Sequence, residues 1–244
     1  MKILALDLAT TTGWAFLTDG KLIDYGIIKI ELKDSNKNYP YNYTDCAKAI
    51  GYLCNILAGE KSPDHIVIEE TNRQGKFGSR YSQKILEFIH FAVVEALSIP
   101  VNYMDTREWR KFAQVSISSE QRKQNRELTL AKREALHKTT LQHKIELAKK
   151  IAPKASNMGP KAKDLLRRKI EKKAIELAKV EMRKVKGLQL GKSAKVTFKH
   201  VSVSRANELF NTNFKMKDDD IADATLLGWG YYLKIRNKRS PNAN

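Results

Sequence analysis

The spacing of apolar and polar positions changes several times along the chain. Residues 2–8 form an apolar run interrupted by Asp7 and followed by the small-residue turn Ala9-Thr10-Thr11-Thr12-Gly13. Trp14-Ala15-Phe16-Leu17 and the stretch from Leu22 to Ile30 come next. Between them lies Asp19-Gly20, a dipeptide that accepts positive φ and so marks a tight hairpin. The pattern predicts three consecutive antiparallel strands, then a polar loop over 33–41. From Tyr43 to Leu57, Ala47, Ile50, Leu53, Cys54 and Leu57 return at helical spacing. Pro63-Asp64 opens a short buried strand, His65-Ile66-Val67-Ile68-Glu69-Glu70. The loop from Thr71 to Ser79 leads to a second helix, about Arg80 to Leu97, and Val101 to Met104 reads as one more strand.

Residues 119–186 carry no strand signal and are dominated by Lys, Glu, Ala, Leu and Arg. Two helical stretches, about 120–152 and 161–186, flank Ala152 to Pro160. Leu166, Ile170, Ala174, Leu177 and Val185 give the second a narrow apolar stripe, so a helical hairpin is predicted. After Gly191 mixed character returns, with a helix near 202–211. A last helix begins in Asp218-Asp219-Asp220 and passes through Ala222, Leu226, Leu227 and Trp229 to Tyr232; residues 236–244 read as frayed. The order of elements predicts an α/β fold, a mixed five-stranded sheet flanked by helices, with a basic α-helical insertion. The expected divisions are 1–118 for the first part of the core, 119–187 for the insertion and 188–244 for the second part.

Charge sharpens this division. The chain has 244 residues and a formal net charge of +18. Residues 121–200 hold 24 Lys and Arg against 7 Asp and Glu, which leaves the remainder nearly neutral. So confined a block points to a polyanionic partner, with nucleic acid ahead of an anionic membrane because no Trp or Phe stripe accompanies it. No Phe, Tyr or Trp occurs between Phe112 and Phe198, so the block is expected to touch phosphates rather than stack on bases, with Arg167, Arg168 and Lys172 among the contacts. Cys46 and Cys54 read as reduced core thiols. No apolar run approaches the ~18 residues of a membrane span. With Met1 to Asp7 read as a strand and not a signal peptide, a soluble, cytoplasmic protein with no membrane partner is expected.

Candidate chemistry lies in carboxylates whose neighbours are wrong for surface charges. Asp7 ends an apolar strand, Glu69 follows Ile66-Val67-Ile68, and Asp220 and Asp223 share one face at the start of an apolar helix. Each has a plain alternative, a turn former or a helix N-cap. Taken together beside a basic block they favour another reading. Converging carboxylates repel and resist ionisation. Hard divalent cations relieve that cost, and two such ions serve phosphodiester cleavage.

Asp7-Leu8-Ala9-Thr10-Thr11-Thr12-Gly13-Trp14-Ala15, Ile66-Val67-Ile68-Glu69-Glu70 and Asp220-Ile221-Ala222-Asp223-Ala224 resemble the RuvC-type Holliday junction resolvases, especially their phage-encoded relatives. Pro63-Asp64, Trp109-Arg110-Lys111 and Asn207-Glu208-Leu209-Phe210 fit the same order, and the match covers about 1–115 and 195–235. The resemblance implies a ribonuclease H-like fold, a homodimer, and Mg²⁺-dependent nicking of a four-way DNA junction, with Mn²⁺ as a substitute and two ions per site. It maps Asp7, Glu69, Asp220 and Asp223 onto the catalytic, metal-binding acids. Strand alternation lets only one of Glu69 and Glu70 share the side of Asp7, and Glu70 is kept as the alternative or supporting acid.

Residues 119–186 have no counterpart in compact resolvases, which leaves substrate preference open. Lys192, Lys195 and Lys199 are candidates for the family's basic residue near the phosphate. In the loop after the Glu69 strand, Arg73, Lys76, Phe77 and Arg80 suit contact with a DNA backbone or an unpaired base. Phe88, Ile89, Phe91, Ala92 and Val93 make the helix over 80–97 apolar around much of its girth, so it or the helix at 43–57 is expected at a dimer surface. The competing readings are a ribonuclease H-like nuclease for other branched DNA or RNA–DNA hybrids, and a non-catalytic DNA-binding module. An actin-like ATPase needs a second Gly-rich phosphate loop that 100–244 does not supply, so no nucleotide cofactor is expected.

Overall fold

The computed structural model describes residues 1–30, 41–70, 80–155, 158–184 and 195–239. These form two compact units, Met1–Ser116 with Thr197–Asn244, and Ile117–Val196.

The first unit is built on five strands: β1 (Lys2–Asp7), β2 (Thr11–Thr18), β3 (Lys21–Lys29), β4 (His65–Glu69) and β5 (Val101–Met104). Their order is β3-β2-β1-β4-β5, the mixed five-stranded sheet that the hydrophobic pattern predicts. The first three strands are antiparallel neighbours, whereas β4 runs parallel to both β1 and β5. Asp19 and Gly20 both take positive φ, 49° and 78°, in the β2–β3 turn, which suits the twist of a two-residue hairpin.

The central strand β1 is buried on both faces, and its alternation sorts the cores. Leu4 and Leu6, with Ile66 and Ile68 of β4, pack beneath α1 (Tyr41–Lys61) and α2 (Arg80–Ala96). Ile3, Ala5 and Val67 face the other way, toward α3 (Thr106–Phe112), α6 (Phe198–Phe210) and α7 (Asp219–Arg239). Cys46 and Cys54 are free thiols in the first core, and burial pushes Cys54 up to about 12.

Several expectations change. Helix α6 begins at Phe198, not near 202, because Thr197 caps it: the Thr197 N–H donates to Nδ1 of His200 at 3.2 Å. A short 3-10 turn, Met216–Asp218, precedes α7. Helix α7 continues to Arg239, so 236–239 are ordered helix and not frayed. The Lys234 ammonium meets the Glu108 carboxylate at 2.9 Å and Ile235 packs on the core, which extends the last turns. In α2, Ile89 and Val93 are fully buried and Phe88 and Ala92 partly so. Phe91 and Val94 remain exposed on that helix, as do Tyr52, Leu53 and Ile56 on α1.

The second unit contains α4 (Ser119–Ala155) and α5 (Pro160–Lys184). They run antiparallel, with Lys144 against Glu171 at 2.5 Å and His143 Nε2 against Glu181 at 2.7 Å. Ala174 and Ala178 are its fully buried apolar side chains among the described residues. The predicted stripe is thus shifted: Leu166 and Ile170 are half-buried, Leu177 faces outward, and Val185 lies outside the described residues. Asn125 fastens the returning chain, donating to the Val196 carbonyl at 2.6 Å and accepting from its N–H at 3.0 Å. No helix among the described residues is long and apolar enough to cross a membrane.

Candidate active site

The pairing of β1 with β4 decides which acids can meet. Their register sets Leu6 beside Ile68, so the next residues, Asp7 and Glu69, end the two strands level with each other. Both fall on the Ile3–Ala5–Val67 face, beneath α3 and α7, and Glu70 falls on the opposite one. Glu70 instead continues the ladder through its backbone N–H, which donates to the Met104 carbonyl at 2.9 Å.

The turn after Asp7 is fastened by the buried Thr12. Its hydroxyl donates to the Ala9 carbonyl at 2.7 Å and accepts from the Ala9 N–H at 3.2 Å. Gly13, paired with Asp7 across the hairpin, lets the first turn of α7 come down on the sheet. A Cβ at this position would overlap the Asp220 carbonyl and lie 2.8 Å from the Ile221 nitrogen. The missing side chain is therefore what brings Asp220 and Asp223 to the strand ends.

Glu69 is held from two sides. Thr106 Oγ1 donates to its Oε1 at 2.5 Å and Trp109 Nε1 to its Oε2 at 2.8 Å, both from α3. The fully buried Trp109 thus fixes the carboxylate as well as filling the core. Asp218 accepts from the Lys215 N–H at 2.8 Å and serves the turn before α7. Asp219 pairs with Lys199 of α6.

Electrostatics shows that the four acids share one neighbourhood. Burial holds the Asp7 carboxyl well above its usual range; Asp223, Glu69 and Asp220 add repulsion, and Lys199 opposes them. Asp223 is pushed up to about 6, first by burial and then by Glu69 and Asp219, against the pull of Ser202 and Arg110. Asp220 is raised by burial and by Asp219. Lys199 is raised chiefly by its pairing with Asp219, with help from Asp220 and Asp223. The Ser202 hydroxyl lies close enough to Asp223 to lower its carboxyl. Both Ser202 Oγ and Asp223 Oδ1 are buried atoms without a partner.

This donor set fits a hard divalent cation. It offers carboxylate oxygens, one buried oxygen atom lacks a partner, and ionisation of the set is resisted until positive charge arrives. As the side chains stand, no three His, Cys, Asp or Glu among the described residues close on a common point. The acids are neighbours across the ends of β1, β4 and α7 without forming a closed ligand set.

Of the three candidate lysines, Lys199 reaches this acid group. Lys195 belongs to the second unit, and Lys192 lies outside the described residues. Arg73, Lys76 and Phe77 also lie outside them, and Arg80 is described only as the first residue of α2. Arg167, Arg168 and Lys172 are exposed on α5, where Arg168 pairs with Asp164 at 3.0 Å.

Sequence reasoning missed Thr106, Trp109, Arg110 and Ser202 as parts of the site. The Trp-Arg pair was visible as a motif, but its hydrogen bond to an acid 40 residues earlier was not. Gly13 was visible only as part of a turn.

No protein-family model matches the chain, and no curated protein matches it in sequence. Among solved structures the chain is similar to RuvC of Thermus thermophilus, at 8% identity and a TM-score of 0.49, over 98% of this chain and 97% of that one. A T. thermophilus RuvC in complex with a Holliday junction substrate aligns over 46% of this chain and 69% of that one, at 12% identity and a TM-score of 0.38. The yeast mitochondrial Holliday junction resolvase Ydc2 aligns over 98% and 83%, at 14% identity and a TM-score of 0.39. Likeness at this level does not assign an activity.

Proposed function

We propose that the chain is a structure-selective endodeoxyribonuclease that resolves four-way DNA junctions by divalent-metal-dependent paired nicking. The observation that carries this reading is the gathering of Asp7, Glu69, Asp220 and Asp223 at the ends of β1 and β4 and the start of α7, with Asp223 Oδ1 buried and unpartnered. In the reaction a water oxygen bonds to phosphorus as the phosphorus–oxygen bond to the neighbouring nucleoside breaks. The water proton is lost to a carboxylate or to solvent, and the departing oxygen gains one, leaving one phosphate end and one hydroxyl end.

Asp7, Glu69, Asp220 and Asp223 would hold Mg²⁺ or Mn²⁺, which when bound supplies an activated water and offsets charge at the phosphate. Glu69 is oriented for this by Thr106 and Trp109. Lys199, already drawn to Asp219, keeps positive charge beside the acids. The basic second unit, with 23 Lys and Arg against 8 Asp and Glu over 117–196, suits a duplex arm bound through its phosphates. Paired incisions on a substrate with twofold symmetry call for two sites, so the reading includes a homodimer. The exposed Tyr52, Leu53, Ile56, Phe91 and Val94 of α1 and α2 are the surface assigned to it.

The test is a cleavage panel of four-way junction, flap, linear duplex and RNA–DNA hybrid in Mg²⁺, in Mn²⁺ and in EDTA. The junction should be nicked in opposed strands, and only with metal. Asp7→Asn should lower the rate by about 10³-fold or more, equivalent to about 4 kcal/mol of barrier, while still binding the junction. Preferred cutting of hybrid or flap would transfer the assignment to another ribonuclease H-like activity. Junction binding without any cutting would support the non-catalytic module.

A further inference from the structure

One cation at the site forms no close ion pair among the described residues. Arg110 follows Trp109 near the end of α3, and its guanidinium lies over two aromatic rings. The centroid distances are 5.1 Å to Trp109 and 4.5 Å to Phe198, the first residue of α6. Its charge reaches Asp223 and helps to hold that carboxyl down. Arg110 nevertheless forms no ion pair among the described residues, and its Nε is buried without a hydrogen-bond partner. Lys199, on the same α6 turn as Phe198, is already committed to Asp219.

Stacking on rings fixes the plane of a guanidinium and leaves its edge N–H groups free to point outward. The Trp109 ring is itself fixed through its N–H to Glu69, so the position of Arg110 is tied to that of a proposed metal-binding acid. A buried arginine serving only as a counter-ion would put its N–H groups on a carboxylate. A guanidinium held over two rings with no carboxylate on it instead matches two oxygens of a phosphate, which a planar fork binds through parallel hydrogen bonds.

We propose that Arg110 is a catalytic residue of this site: its guanidinium edge binds the non-bridging oxygens of the attacked phosphodiester and stabilises the charge that grows on them. The proposal rests on the nuclease reading above and adds to it the group that contacts the substrate phosphate.

The experiment measures single-turnover junction nicking in Mg²⁺, junction affinity in Ca²⁺, and melting temperature for the wild type, Arg110→Lys and Arg110→Ala. Both variants should lose about 10²-fold or more in rate, the scale of losing one preorganised donor group, with affinity changed by less than about threefold. Arg110→Lys keeps the charge and loses the fork, so its failure separates geometry from net charge. Guanidinium ion added to Arg110→Ala should restore part of the rate, and ammonium should not; a merely structural arginine gives no such rescue. If Arg110→Ala does not fold, Arg110→Lys decides the matter alone. Nicking by Arg110→Lys within threefold of wild type, or absence of rescue in a folded Arg110→Ala, overturns the proposal and leaves the nuclease reading in place. A wild-type chain that cuts no branched substrate with either metal overturns both.

Discussion

The two compact units hold together by opposite means. The first buries Ile3, Leu4, Leu6, Ile66, Ile68, Trp109, Leu226 and Leu227 completely, and holds acids such as Asp7 and Asp223 half-buried beside them. The second fully buries only Ala174 and Ala178 among its described apolar residues and spans its helices with Lys144–Glu171 and His143–Glu181. A close-packed interior fixes charged groups within a fraction of an ångström; a pair of long basic helices offers area and potential but little positional precision. The proposed function gives chemistry to the first arrangement and attraction of a polyanion to the second.

The largest break in this contrast should come from one methyl group. Gly13→Ala places a Cβ against the backbone of Asp220 and Ile221, which cannot move without displacing α7. Overpacking of this kind costs about 1–3 kcal/mol. Nicking should fall by about 10²-fold or more, the rate equivalent of about 3 kcal/mol, while the salt dependence of junction binding stays that of wild type. A melting curve with a single-turnover assay checks both.

Removing the second unit should do the reverse. Replacing 120–186 by a short Gly-Ser linker should weaken junction binding and reduce the slope of log affinity against log salt by about 5, the value for helices that engage roughly six phosphates. Mg²⁺-dependent nicking should remain measurable at low salt. An unchanged slope would assign the helices to a protein partner, and loss of folding would make them part of the first unit's stability.

The smallest effect concerns pH and sharpens the description of the first unit. Asp223 titrates near 6 in the folded chain against 3.8 as its ordinary value, so the metal-free folded state binds a proton that the unfolded state has already released. The Asp223 contribution to metal-free stability is therefore highest at low pH and falls as pH rises between these values. The loss attributable to Asp223 is at most about 3 kcal/mol. Asp223→Asn should flatten this fall, and saturating Mg²⁺ at neutral pH should offset it in the wild type. Denaturant titrations between pH 4.5 and 7.5 measure both. An equally steep pH dependence in Asp223→Asn and wild type in EDTA would contradict the burial that raises the Asp223 carboxyl.

Local rules carried the reading of the sequence a long way in the first unit. An apolar run ending in an acid marked β1 and β4, Asp19-Gly20 marked the hairpin, and helical spacing marked α1 and α2. What they left open was non-local. The choice between Glu69 and Glu70 follows from the β1–β4 register, and the separation of Lys199 from Lys195 depends on where the second unit ends and α6 begins. The contacts of Trp109 and Arg110 join α3 to β4 and α6, which no window of sequence contains. In the second unit the helix and much of its inward face were legible, with Ala174 buried and Leu166 and Ile170 half-buried, but the next turn was not. Ala178 rather than Leu177 faces the partner helix, because small side chains allow two helices to approach closely.

The meeting of Gly13 with Asp220 also constrains when the acid group can be completed. It joins the second strand made to the last described helix made, across some 200 residues of intervening chain. A ribosome releases α7 after every other described element, so until it emerges the Ile3–Ala5–Val67 face of the sheet lacks Ile221, Ala222, Leu226 and Leu227 to cover it, and the acid group lacks Asp220 and Asp223. Completion of the acid group is thus coupled to the synthesis of α7 by the order of the elements along the chain.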